Sequence, residues 1–277
     1  MLKNLLVHIP SERPIRPVID AAISLAVSRA AHLDAVSIGY ETTSIGLATD
    51  GAAAVAAIFE VDHENALARS DAALAVFEAE VRNTGIGYSL RPLTGIPADS
   101  AATVSAMARL YDLTIVLQPE PDCETFDNTL PQEILFQSGG PVLFIPYIHK
   151  GPWKPKHIGI AWDGSRLAAR ALRDAAPFLA HAQTITVISV NDAEIAADAS
   201  VAALEKHLTR RGLTARVERV EADRADIQST ILSVAADADL DLIAMGGYGH
   251  SRLSERILGG VTRGMLRSMT VPTLMSH

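Results

Sequence analysis

Three short segments of this 277-residue chain occur twice and in the same order, which constrains the fold more tightly than any single motif. Lys3–Asn4–Leu5–Leu6–Val7 and Lys156–His157–Ile158–Gly159–Ile160 each read as a basic start followed by a buried strand, 153 positions apart. Asp112–Leu113–Thr114–Ile115–Val116–Leu117 matches Asp241–Leu242–Ile243–Ala244–Met245 at an offset of 129, and the prolines of Gly140–Pro141–Val142–Leu143–Phe144 and Val271–Pro272–Thr273–Leu274–Met275 lie 131 apart. The pattern predicts a duplicated unit of roughly 125 to 150 residues. The drift in offset places about 24 extra residues in the front half of the first copy, most simply in Glu41 to Ile58, read as a loop with a short helix.

Between the matched strands, apolar residues recur at helical spacing: Ile15, Val18, Ala22 and Leu25 in the first copy, Ala168, Ala171, Ala175 and Leu179 in the second. Leu67, Leu74 and Val81 mark the first copy's second helix, and Val201, Leu204 and Leu208 its counterpart, each expected to face the sheet. Gly85 and Gly212 follow those helices as stop signals. Strands alternating with helices predict an α/β fold of two doubly wound parallel-sheet domains, Rossmann-like. The expected domains are residues 1–147 and 155–277, joined through the proline- and glycine-containing stretch Ile148 to Pro155.

Composition narrows the functions. Hydrophobic residues make up 48% of the chain and charged residues 20%, enough apolar material for a full core. The net charge of −8 and the lack of a basic run argue against nucleic-acid binding. No apolar run approaches the roughly 20 residues of a membrane span. With one cysteine and an N-terminus that reads as a first strand, the expected compartment is the cytoplasm. The nine histidines show no ligand spacing, so no metal site is expected.

Chemistry concentrates in Asp241 to Leu266. The buried strand there ends in Gly246–Gly247; Gly249 follows, then nine residues without glycine, then Gly259–Gly260 opening a segment of helical character from Val261. Glycines at a strand end and a helix start let main chain approach a ligand closely, and helix-start N–H groups attract anions, phosphate above all. In doubly wound sheets ligands sit beyond the carboxyl ends of the strands where strand order reverses. Asp163, in Ala161–Trp162–Asp163–Gly164–Ser165, reads either as an acceptor for a base or ribose or as a turn or capping carboxylate; Ser165 suits a helix N-cap. The end of the second strand, Ser189–Val190–Asn191, is either a base-edge contact or an ordinary terminus.

The spacing Gly246-x2-Gly249-x9-Gly259 with the strand-one aspartate resembles the nucleotide motif of the universal stress protein family, whose fold is adenine nucleotide alpha hydrolase-like. The duplicated order resembles that family's tandem members across essentially the whole chain. The resemblance implies that Ala161, Asp163 and Val190 lie near adenine and ribose, and that Gly246, Gly249, His250, Gly259, Gly260 and Val261 line the phosphates. A small hydroxyl residue normally follows the last glycine; here that place is Gly260, leaving Thr262 as the nearest hydroxyl. The ligand implied is ATP, ADP or AMP, with Mg an option alongside ATP. The final strands should pair the two copies about a pseudo-twofold, an intramolecular pseudo-dimer, with further homodimerisation and an unidentified protein partner left open.

The first copy departs from the motif: His8–Ile9–Pro10–Ser11–Glu12 offers no acid where Asp163 stands, and Gln118–Pro119–Glu120–Pro121 replaces the glycine turn with prolines and a carboxylate expected to repel phosphate. Only the second copy is therefore expected to bind nucleotide. Three functions compete: a nucleotide-binding stress-response regulator, an interaction scaffold without ligand, and a slow ATP hydrolase. No catalytic residue is assigned, because neither a P-loop lysine pattern nor a Ser/His/Asp arrangement is present.

Overall fold

The computed structural model describes residues 1–41, 52–192, 195–247 and 260–277. The first half contains β1 (Asn4–His8), α1 (Arg16–Arg29), β2 (His32–Tyr40), α2 (Ala52–Val81), β3 (Tyr88–Gly95), α3 (Pro97–Ala108), β4 (Leu113–Leu117), α4 (Leu130–Gln137) and β5 (Val142–Ile145). The second contains β6 (His157–Ala161), α5 (Arg166–Asp174), α6 (Ala176–Leu179), β7 (Thr184–Val190), α7 (Val201–Arg210), β8 (Arg216–Val220), α8 (Ile227–Asp237), β9 (Leu242–Gly246), α9 (Val261–Ser268) and β10 (Thr273–Ser276).

The strands form one ten-stranded sheet in the order β3-β2-β1-β4-β5-β10-β9-β6-β7-β8. Within each half every pairing is parallel. The halves meet where β5 runs antiparallel to β10, with Leu143 opposite Leu274. The two final strands thus cover each other's edges, as the pseudo-twofold expectation required.

Period-2 alternation explains why both faces are buried. Leu5, Val7, Ile158, Ile160, Leu242 and Ala244 point to one core, shared with α1, α5 and α7 from both halves. Leu6, Val116, Ile243 and Met245 point to the other, beneath α3, α4, α8 and α9. Each buried Leu, Ile or Val contributes about 1.5–3 kcal/mol relative to exposure.

The duplicated aspartates have a structural cause. Asp112 accepts the N–H groups of Lys3 and Asn4 through one oxygen, at 2.6 and 2.9 Å, and Asp241 accepts those of Lys156 and His157 at 2.8 and 2.9 Å. Each carboxylate takes up main-chain donors at the start of a central strand, where no sheet neighbour could accept them. The connector between the halves is pinned as well: Trp153 is buried, its main-chain N–H donates to Ser24 Oγ and its indole N–H to the Asp241 carbonyl.

Two expectations about α2 need correcting. Helix extends back to Ala52, well into the stretch read as a loop with a short helix, because its alanines favour helix without showing a period. Of its expected sheet-facing stripe, Leu74 and Val81 are buried but Leu67 is 37% exposed; Ala66, Ser70 and Phe77 complete the buried face. Small residues set that face because the helix crosses β2 at very close range. A Cβ on Gly39 would lie 1.7 Å from the Ala66 carbonyl oxygen, and Ser70 Oγ donates to the Ser37 carbonyl. The second copy's first helix also differs from a single run, breaking at Ala175 into α5 and α6 ahead of Pro177.

Candidate functional site: two crevices at the strand ends

In the second half, strand order reverses around β6, which has β7 on one side and β9 on the other. Past Ala161 at the end of β6, the N–H of Trp162 still donates to the Ile188 carbonyl, and its indole N–H donates to the Ala199 carbonyl. Asp163 is exposed, and its Oδ1 accepts the Ser165 N–H at 2.9 Å. That is the turn carboxylate, one of the two readings of this residue, and it leaves an exposed side chain at the rim. Gly164 has φ +71, and a Cβ there would meet Ile195 Cγ2 at 2.5 Å, so the turn strongly favours glycine. Ser165 is the N-cap of α5, accepting the Ala168 N–H at 3.1 Å.

The end of β9 lies against this same turn. A Cβ on Gly246 would stand 2.8 Å from both Ala168 N and Leu167 C, so the close approach that makes glycine necessary is to the first turn of α5. The structure thereby brings Gly246 and the Asp163 loop together. Gly247 is held elsewhere, its N–H donating to the Ser276 carbonyl. Val190 ends β7, opposite Val220, and Asn191 (φ +60) clamps β8 by exchanging hydrogen bonds with the main chain of Ala222. Gly260 is the N-cap residue of α9, with no side-chain capping bond. Gly260 and Val261 are half-exposed there, whereas Thr262 sits on the buried face with Met265 and Leu266. Gly249, His250 and Gly259 lie outside the described residues.

The first half repeats this main chain. The Ile9 N–H donates to the Val36 carbonyl as Trp162 does to Ile188, and the Gln118 N–H donates to Ile145 as Gly247 does to Ser276. The side chains differ completely. Arg13 is buried, donating through Nη1 to the Gln118 carbonyl at 2.8 Å and pairing with Glu120 at 3.4 Å. Gln118 is fully buried; its side-chain amide donates to the Leu266 carbonyl of α9, across the seam, and accepts the Tyr147 N–H. Asp127, 1% exposed, accepts the Glu12 N–H at 2.9 Å and the Tyr40 hydroxyl at 3.2 Å, with His8 Nε2 3.6 Å away.

Burial governs the protonation of this cluster. It holds His8 down to about 3, with the Arg13 charge acting in the same direction. It raises Asp127 to about 6, opposed by the Glu12 N–H, Tyr40 and Arg13, while the Glu12 charge reinforces it. The Tyr40 phenol is raised by burial and then by the Asp127 charge. Glu120, expected to repel a phosphate, has its carboxylate 3.4 Å from Arg13, and Arg13, Gln118 and Asp127 are all buried. Sequence reasoning missed this cluster, because Arg13 and Asp127 stand among other polar and charged residues, Glu12 and Arg16 on one side and Glu124 and Asn128 on the other. No group of His, Cys, Asp and Glu side chains suited to a metal occurs among the described residues, and none of their helices is long and apolar enough to cross a membrane.

Residues 154–277 match the model of the universal stress protein family. No curated protein matches the chain. Among solved structures, a universal stress protein from Archaeoglobus fulgidus is 16% identical with a TM-score of 0.69, covering 98% of this chain and 95% of its own. One from Pseudomonas aeruginosa, described as a putative universal stress protein, is 18% identical with a TM-score of 0.62 over 99% and 93%. A functionally unknown protein from Pseudomonas aeruginosa is 19% identical with a TM-score of 0.61 over 99% and 92%. Residues 154–277 are thus a universal stress protein domain, and the chain as a whole carries the two-copy universal stress protein fold.

Proposed function

We propose that this chain is a tandem stress-response protein that binds an adenine nucleotide in its C-terminal half only and regulates partners through that occupancy. Ala161, Asp163 and Val190 receive the adenine and ribose. Gly246, Gly249, His250, Gly259, Gly260 and Val261 form the phosphate side, meeting ATP or AMP, with Mg accompanying ATP; Thr262, on the buried face of α9, supports the helix start from beneath. The observation that carries the reading is the packing of Gly246 on the first turn of α5, which puts the first glycine of the motif beside the Asp163 loop. Half-exposed Gly260 and Val261 at the start of an eight-residue helix supply N–H groups suited to an anion. The engagement of Asp163 Oδ1 with Ser165 favours a second reading, a scaffold in which the aspartate serves only the turn.

Thermal melting with ATP and with AMP separates the two. A ligand at ~100 times its dissociation constant adds about 2.7 kcal/mol, a rise of a few degrees for a chain of this size. Under the nucleotide reading wild type shifts and Asp163→Ala does not, while Arg13→Met still shifts. If wild type gives no shift with either nucleotide and releases none on denaturation, the scaffold stands.

A further inference from the structure

A second cleft lies away from the nucleotide crevice, at the opposite, N-terminal end of β6. It has a volume of about 750 Å3 and is walled by Leu2, Pro155, Ala176, Pro177 and Ala180, with Arg29, Lys154 and His181 around it. A smaller neighbour of about 320 Å3 shares Ala176 and Ala180 as a common wall and adds Arg173, His207 and Arg211. On a chain of net charge −8, neither cleft has an aspartate or glutamate in its lining. Elsewhere Arg13, Arg16, Arg82, Arg170, Arg216 and Arg219 pair with carboxylates, but none of the six basic side chains lining these clefts does so among the described residues.

Arg29 supplies the second indication. Its Nε is buried with no hydrogen-bond partner, its guanidinium lies over the Phe178 ring at 5.7 Å from the centroid, and burial lowers its pKa. A partly desolvated cation with an unused donor and no counter-charge is unfavourable unless an acceptor completes it. The apolar wall beside it suits hydrocarbon or an aromatic ring, and the larger cleft has the size of a small-molecule site.

We propose that this cleft binds a small organic anion, a carboxylate, sulfonate or phosphate on an apolar body, with the charged group against Arg29 and Lys154 and the body along Ala176, Pro177 and Ala180. The site is independent of the nucleotide crevice, so it stands or falls separately from the nucleotide reading.

The test uses the full chain with 8-anilinonaphthalene-1-sulfonate as a fluorescent probe, octanoate as a competitor and inorganic phosphate as a control lacking the apolar body. The expected result is saturable one-to-one enhancement, displaced by octanoate and not by phosphate at equal concentration. Loss of two charge-assisted contacts in Arg29→Gln/Lys154→Gln should weaken binding about tenfold or more. Ala180→Trp, an exposed position where the indole fills the cleft while every charge is kept, should block it without touching Arg29. Asp163→Ala and saturating ATP should leave it unchanged. Non-saturable enhancement, displacement by ATP, or equal affinity in both cleft variants would overturn the proposal.

Discussion

The two crevices share a backbone and differ in side-chain volume at matched positions. His8 ends β1 where Ala161 ends β6, Leu117 ends β4 where Gly246 ends β9, and Gln118 stands where Gly247 stands. Their main-chain hydrogen bonds are the same, so strand geometry did not change. In the second half, Gly246 lets the first turn of α5 press onto β9. In the first, a leucine at the Gly246 position requires α1 to stand further off, and Arg13 and Asp127 fill the room. Under the nucleotide reading, a few residues at the strand ends decide whether a doubly wound half-sheet has space for a ligand, with the topology held constant.

The comparison can be broken most violently at the glycines. Gly39→Ala would place a methyl 1.7 Å from a main-chain oxygen of α2, which must then move. We expect a loss of about 3 kcal/mol or more, the upper end for overpacking, read as a lower urea midpoint. Gly246→Ala, with its nearest contact at 2.8 Å, should cost about 1–3 kcal/mol and, under the nucleotide reading, weaken nucleotide binding as well. A Gly39→Ala protein as stable as wild type would mean that α2 does not cross β2 as described.

Asp127→Ala comes next. It strips the Glu12 N–H and the Tyr40 hydroxyl of their buried acceptor, each loss costing about 1–3 kcal/mol. Ser165→Ala in the other half removes one N-cap bond and should cost about 1 kcal/mol. Equal effects would deny that the first crevice is held by its own polar cluster.

The pH dependence sharpens the contrast further. His8 has a folded pKa of about 3 against 6.5 for the free side chain, so the unfolded chain takes up its proton first and stability falls as pH drops from about 6.5 toward 3. Asp127 is the reverse. Its folded value of about 6 against 3.8 means the native state protonates first, so its contribution grows as pH falls from about 6 to 4 and is lost as pH rises through 6. Between pH 4 and 6 the two nearly cancel, each moving stability by about 1.4 kcal/mol per pH unit. Urea midpoints of His8→Gln should rise on acidification across that window, and those of Asp127→Asn should fall. Parallel profiles would remove the pair from the account. The smallest effect should come from Glu120→Gln, whose side chain is 38% exposed: screening leaves its ion pair with Arg13 worth about 1 kcal/mol or less.

Much of this was legible because it is written in residues with one physical meaning. Apolar runs bounded by glycine or proline mark the first, fourth and fifth strands of each half, and the repeated aspartates mark strand starts. Leu67 was misplaced because, where α2 nearly touches β2, its inner face is made by Ala66 and Ser70, which carry little hydrophobic signal. The Arg13–Gln118–Asp127 cluster escaped because its members come from three separate segments, and only folding shows that their charges face inward. The basic cleft escaped for the same reason, assembled from a strand entry, the end of α1, the connector and α6.

The antiparallel meeting of β5 with β10 has one more consequence. Two identical subunits joined across such strands would inherit every substitution in both, so a residue that fills one pocket would fill its twin. Covalent fusion removes that obligation. One lobe is free to become solid and serve as a permanent wall for its sibling, and Gln118, reaching over to the carbonyl of Leu266, is where that wall already leans on the helix next door.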